Sequence, residues 1–467
     1  MSPTSRLKQT LQGLRDHADE LIAIIVRQAG LIEELQKKIE QLEKQIRDLN
    51  DRNDGLGKKV EELEKAAARP AAPFRRRDAQ RVAEPKRPGR HKGHRGHYRR
   101  VPDHIDEEIQ VPLCPCPECG RKVGAKRQII QYLEEIPPVR PRVIKLVTEE
   151  GHCPHCDQTV RSTHPLQVSL AEGAAGVQLG PNALAMAVEL NKRHGLTMRK
   201  TCAVLEQLFQ LKLTAGGLAQ AIARLAKKLT PSYEHLLARL RDGPYVHSDE
   251  TSWWVNGPGY WLWVFATRHG TVYRVAQGRG RNIVLETLGE DYQGTLITDC
   301  LSIYDDVNGR QQKCYAHHLK AISHAIQECP SPYLTQLKGL LKGAMALKGA
   351  GLPAPDFAQH RTALDQQASR LLESPRQGVE EKVRKRLWKQ RDHLFTFLDV
   401  QEVDATNNLA ERQLRPAVIA RKVSCGNKTP AGAKAWEVLT SLAATCAQTG
   451  ESFASLLNNA ARLSFAR

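Results

Sequence analysis

The chain has 467 residues, with 69 Lys and Arg against 51 Asp and Glu, for a net charge of +18; the length exceeds one compact core and implies several domains, and the charge points to an acidic polymer, nucleic acid first. No apolar run approaches the ~18 residues of a spanning helix and no signal peptide opens the chain, which argues against a membrane or exported protein and for a soluble, cytoplasmic one. The 11 cysteines, several in C-x-x-C pairs, suit metal binding better than a disulfide framework.

Over residues 1–65, leucines recur every seventh position at Leu7, Leu14, Leu21, Leu35, Leu42, Leu49, Leu56 and Leu63, with Gln28 breaking the series. Leu11, Ala18, Ile25, Ile32, Ile39, Ile46, Asn53 and Val60 lie four residues after each of these positions. This β-branched-a and leucine-d pattern predicts a parallel coiled coil, hence a homodimer or higher oligomer, with Asn53 fixing the register. Gly55 and Gly57 are expected to weaken or interrupt the helix. The alternative is an amphipathic helix packed on its own domain.

Residues 66–108 read as a basic linker in which Arg75, Arg76 and Arg77 can neutralise phosphates and release counterions. Residues 109–168 hold two knuckles, CPCPECG and GHCPHCD. Their Cys116, Cys119, Cys153 and Cys156 form a four-thiolate set suited to tetrahedral structural Zn²⁺, and YLEEI and RVIKLVTEE are expected as strands of a zinc ribbon. Cys114 and His155 stand close enough in sequence to substitute for a ligand.

Residues 175–240 look helical, with capping threonines at Thr197 and Thr214 on either side of a break at 211–213, a helix-turn-helix-like DNA-binding region. Residues 241–320 change to β patterning, with the helix-like NIVLETLG before a further strand, GTLITD, which predicts an α/β core. Residues 321–400 read as a helical insertion, and 401–467 as C-terminal helices that complete the core.

Asp249 falls in the first strand of that core, Asp299 at the end of GTLITD, and Glu411 on a C-terminal helix. Adjacent strands and an overlying helix can bring three such acids into one oxygen-rich pocket for Mg²⁺ or Mn²⁺. Two ions ~4 Å apart there would serve in-line phosphoryl displacement. Taken singly, each acid is more commonly a surface charge or a cap. In DATNNLAERQLRPAVIARKVSCGNKT, Asn408, Glu411, Arg412 and Arg415 share one helical face. Pro416 is expected to close that helix, leaving Arg421 and Lys422 in an extended segment to hold the DNA backbone; an internal salt-bridge network is the alternative for these cations.

Nearby groups get plainer readings. Glu250 should point to the face opposite Asp249, and Asp305 and Asp306 should cap or orient local structure. Cys314 and His317 form a C-x-x-H pair whose two soft ligands favour packing or DNA positioning over another zinc site. Trp253, Trp254, Trp261 and Trp263 fit strand faces better than base stacking.

The blocks HSDETSWWVNGPGYWLWVF, TDCLSIYDD, KCYAHHLKAI and NNLAERQLRP, in that order, resemble those of the insertion sequence 66 family of bacterial DDE transposases. The resemblance covers nearly the whole chain. It implies an N-terminal zipper, basic linker, zinc module, helical DNA-binding region and RNase H-like catalytic core. It also implies Asp249, Asp299 and Glu411 as the first, second and third catalytic acids. The implied activity is cleavage at the terminal inverted repeats and strand transfer to target DNA, with accessory proteins of the same element as further candidate partners. The rival readings are a non-catalytic DNA-binding regulator or decayed transposase, and a metal nuclease without strand transfer.

Overall fold

The computed structural model describes residues 3–68, 93–95, 99–124 and 127–462, and it divides into two units meeting at Val101. The expected basic linker, including Arg75, Arg76 and Arg77, lies largely outside the described residues, as does the side chain of Asn53.

In the first unit α1 (Pro3–Ala68) is one helix of 66 residues, roughly 100 Å long at 1.5 Å per residue. It runs through Gly55 and Gly57 without the expected interruption. A glycine costs about 1 kcal/mol in a helix interior, which a hydrogen-bond ladder of this length absorbs. Leu14, Leu21, Ile25, Ile32, Leu35, Ile39, Leu42, Ile46 and Leu49 are 48–63% exposed, so α1 does not bury its own heptad stripe.

The second unit opens with a small antiparallel hairpin, β1 (Glu150–Cys153) and β2 (Gln158–Arg161), whose connecting turn is the second cysteine knuckle. YLEEI forms no strand, and RVIKLVTEE contributes only its last residue, Glu150, to one. Ile129, Leu133, Ile136, Val143 and Val147 are all more than 70% exposed; alternating apolar residues make a stable strand only where a facing surface buries them.

Next come α2 (Pro181–Val188), extended by a π-helical turn at Glu189–Arg193, then α3 (Met198–Phe209), α4 (Ala215–Lys228) and α5 (Thr230–Arg241). Thr197 and Thr214 cap α3 and α4 as expected, their hydroxyls accepting from the backbone N–H of Lys200 and Gly217. Gln210 takes the left-handed conformation that ends α3.

The sheet follows as β3 (Tyr245–Trp253), β4 (Tyr260–Thr267), β5 (Gly270–Gln277), then α6 (Arg281–Leu288), β6 (Thr295–Thr298) and β7 (Gln311–Lys313). Its order is β5-β4-β3-β6-β7; β3, β4 and β5 are antiparallel neighbours, while β6 and β7 run parallel to β3. The central β3 therefore lies between the hairpin half and the parallel half.

Between the sheet and the last helices stands an all-helical block: α7 (Tyr315–Glu328), α8 (Pro332–Lys348), α9 (Ala354–Glu373), α10 (Gly378–Lys389) and α11 (Thr396–Asp399). It builds a core around Leu337, Leu341, Leu372, Leu387 and Phe397. The chain then returns through α12 (Asn408–Ser424), α13 (Pro430–Thr449) and α14 (Phe453–Ala461). One face of the sheet, carrying Val246, Trp263 and Phe265, shares a core with α2–α6, α13 and α14; the other, carrying Trp253, Leu262 and Val264, packs under α12. Among the described residues no helix is long and apolar enough to cross a membrane.

Candidate active site

The site is organised by the two-residue repeat of β3. Its odd positions face α12 and the start of α13: His247 meets Asn407, Thr251 meets Arg421, and Trp253 packs on Trp436 of α13. Its even positions face the opposite core, where Ser248 and Glu250 both reach the hydroxyl of Tyr304. Asp249 accordingly points towards α12, and Glu250 away from it as expected. Glu250 is held there by Tyr304 and by Arg279, whose Nε donates at 3.0 Å and whose guanidinium lies 4.4 Å from the Trp261 ring centre.

Asp249 accepts the Glu250 N–H at 2.8 Å. Burial, then the charge of Glu250, with further contributions from Asp299 and Glu411, pushes its carboxyl up to about 7. Asp299 follows the last residue of β6, on the strand hydrogen-bonded to β3, and its Oδ1 accepts the N–H of Leu301 at 2.9 Å. Glu411 stands in the first turn of α12, where the helix dipole favours negative charge. All three acids thus share one field.

Asn407, just before α12, ties that helix to β3. Its side-chain amide donates to the Ser248 carbonyl at 2.7 Å and its Oδ1 lies 3.1 Å from His247 Nδ1. Because the amide oxygen only accepts, His247 must carry its proton on Nδ1. Burial drives this imidazole down to about 4, so it stays neutral. Asn407 and His247 were missed in the sequence, where the signal was a second asparagine beside Asn408 and a histidine two residues before Asp249.

The helix does not end at Pro416: α12 continues to Ser424, with Pro416 inside it and Arg421 and Lys422 in its last turn. Burial of Ala410, Leu414 and Ala417 against the sheet outweighs the one ladder bond that proline removes. Arg421 is braced on β3, donating to Thr251 Oγ1 at 3.0 Å and Ser252 Oγ at 2.8 Å. Asn408, Arg412 and Arg415 are exposed on the same helix as half-buried Glu411.

Asp305 bridges Lys313 at 3.0 Å and Lys389 at 2.9 Å, which orients local structure as expected. Trp253 and Trp263 are buried strand residues, while Trp254 is 40% exposed. In the cysteine module each knuckle forms a turn, with the Gly120 N–H on Cys116 O and the Asp157 N–H on Cys153 O. Among the described residues the four knuckle sulfurs are not gathered to ligand spacing; the trio that is gathered comprises Cys314, His317 and Glu411.

Fold and site together define a mixed α/β protein built around acids presented by two adjacent strands and the helix laid over them. The chain belongs to the transposase IS66 family, whose model matches residues 176–435. It is also 25% identical over 278 residues to the uncharacterized protein y4qI of Sinorhizobium fredii. That similarity covers 51% of this chain and 51% of the relative, so the chain spans about half the length of the curated relative it matches.

Proposed function

We propose that the protein is a DDE transposase with an RNase H-like core, binding the terminal inverted repeats of an insertion sequence and carrying out DNA cleavage and strand transfer. What supports this reading is the placement of Asp249 on β3, Asp299 just beyond the neighbouring β6 and Glu411 in the first turn of α12 over that sheet, near enough for the latter two to raise the proton affinity of the first, although among the described residues the three are not gathered to ligand spacing. The strand order, with three antiparallel strands continued on one side by two parallel ones, supports the same core.

The donor set fits Mg²⁺ or Mn²⁺: the groups are hard carboxylate oxygens, and a cation would offset both the burial that chiefly lifts Asp249 and the added negative charge of Glu250, Asp299 and Glu411. Asp249, Asp299 and Glu411 would hold it, and when bound it supplies Lewis-acid activation of the attacking and leaving oxygens. Asn407 and His247 fix the position of Glu411's helix against Asp249's strand. Arg412, Arg415 and Lys422 supply cations to a phosphate backbone beside the acids, with Arg421 bracing that face and Arg75, Arg76 and Arg77 adding sequence-independent affinity.

Cys116, Cys119, Cys153 and Cys156 are assigned to structural Zn²⁺, α1 to homodimerisation, and the α3–α4 pair to DNA contact in a cytoplasmic protein. Cleavage and joining of labelled end-containing DNA with Mg²⁺ or Mn²⁺ tests the central claim. Asp249→Ala, Asp299→Ala and Glu411→Ala, each folded and still binding DNA, are expected to lower both products by at least about 10³-fold. Wild-type rates in any one of them would remove that residue from the catalytic set.

A further inference from the structure

We infer that Cys314, His317 and Glu411 form a second metal site, selective for a zinc-class cation, that shares Glu411 with the Mg²⁺ site and so switches the enzyme off when filled. The regulatory half rests on the catalytic reading of Glu411 above; the binding half stands on geometry alone.

One donor atom from each of the three residues lies within 4.8 Å of the other two. Around tetrahedral zinc, with bonds of roughly 2.0–2.3 Å, ligand atoms sit about 3.3–3.8 Å apart, so a closure of about 1 Å completes three corners. Water or a DNA oxygen can take the fourth. The pair read from the sequence as too few ligands gains its third from a helix nearly a hundred positions away.

One further observation points to a ligand here, and a second ties the site to Glu411. Nδ1 of His317 is buried and has no hydrogen-bond partner, a state that costs about 1–3 kcal/mol unless something binds it. The Cys314 sulfur is fully buried yet accepts the N–H of Asn407 at 3.2 Å, the residue that positions Glu411. Cys314 also donates its own N–H to Thr298 O at 2.9 Å, next to Asp299.

The donor chemistry separates the two sites. A thiolate, an imidazole and one carboxylate select zinc, cobalt or copper, whereas Mg²⁺ prefers oxygen alone. On binding, the thiol proton passes to solvent and sulfur bonds the metal; no redox partner is needed. Glu411 is then drawn towards sulfur and imidazole and away from Asp249.

The test uses the full chain, reduced and stripped of metal, then given one equivalent of zinc, which the four-thiolate knuckles take in preference to a three-ligand site and which cobalt binds too weakly to displace. Added Co²⁺ is expected to give a thiolate-to-cobalt charge-transfer band in the wild type. The band should disappear in Cys314→Ser and weaken at least about tenfold in affinity, or ~1.4 kcal/mol, in His317→Ala, whose half-exposed side chain is removed at little risk to folding. An unchanged band in both variants overturns the site.

In parallel, zinc should inhibit Mg²⁺-supported cleavage by the wild type, with each variant needing about tenfold more zinc for half-inhibition of its own rate. Loss of the band without any change in zinc inhibition supports the site but overturns the shared use of Glu411.

Discussion

At residue scale Asp249 and His247, two positions apart on one strand face, titrate in opposite senses. Asp249 is raised from 3.8 to about 7. A carboxyl that binds its proton more tightly when folded contributes stability below 3.8, which is lost as pH rises through 7. His247 is lowered from 6.5 to about 4, and His318 to about 3, so their contribution is present above 6.5 and lost as pH falls through those values. Between about 4 and 6.5 the two slopes oppose each other. Asp249→Asn removes the carboxyl's part: without Mg²⁺ it should be more stable than wild type at pH 8, by on the order of 1–3 kcal/mol, with the gap closing near pH 4. Adding Mg²⁺ should reverse the order, because cation binding stabilises only the wild-type site. Calorimetry at the two pH values in Mg²⁺-free buffer checks this, and equal melting temperatures at pH 8 would remove the charge conflict from the site.

At the scale of the element, α12 carries an internal proline and still spans Asn408–Ser424. Pro416→Ala restores the bond to the Arg412 carbonyl but loosens the unfolded chain, so a net gain of roughly 1–2 kcal/mol in urea denaturation is expected. A loss would mean that the proline-bent path is needed for Ala410, Leu414 and Ala417 to seat on the sheet. For α1, Leu35→Glu with Leu42→Glu puts charge in the heptad seam, and light scattering should report a dimer for the wild type and monomers for this variant. Much at this scale was legible in the sequence: heptads, capping threonines and alternating strands are local patterns, and α1, α3, α4 and the strand holding Asp249 follow them. The three-residue β7 is too short to show a period, and the path past Pro416 is decided by burial against the sheet. The meeting of Cys314 and His317 with Glu411 depends on where the 321–400 block returns the chain, which no local pattern encodes.

At the scale of the whole molecule, the proposed site draws on pieces from both sides of a long helical block, and the chain also carries a cysteine module with little apolar cover of its own. Ile129, Leu133 and Val143 are more than 70% exposed, so metal, rather than a core, is the source of order expected there. Metal analysis of reduced, purified protein should find zinc that falls on substitution of Cys116 and Cys153, and chelation should expose residues 102–168 to protease. Absence of zinc would overturn the module's assignment. The back-to-back placement of Asp249 and Glu250 bears on how copies of such a gene decay. β3 is registered to β4 on one edge, with Asp249 opposite Val264 and Glu250 opposite Trp263, so a one-codon insertion or deletion inside the strand exchanges its faces. The acid opposite α12 is then a glutamate or nothing, while length, charge and overall identity scarcely change. On the proposed role of Asp249, such a lesion would silence a copy that still looks intact by alignment, and one codon in β3 would then say more about whether a copy is alive than many substitutions elsewhere.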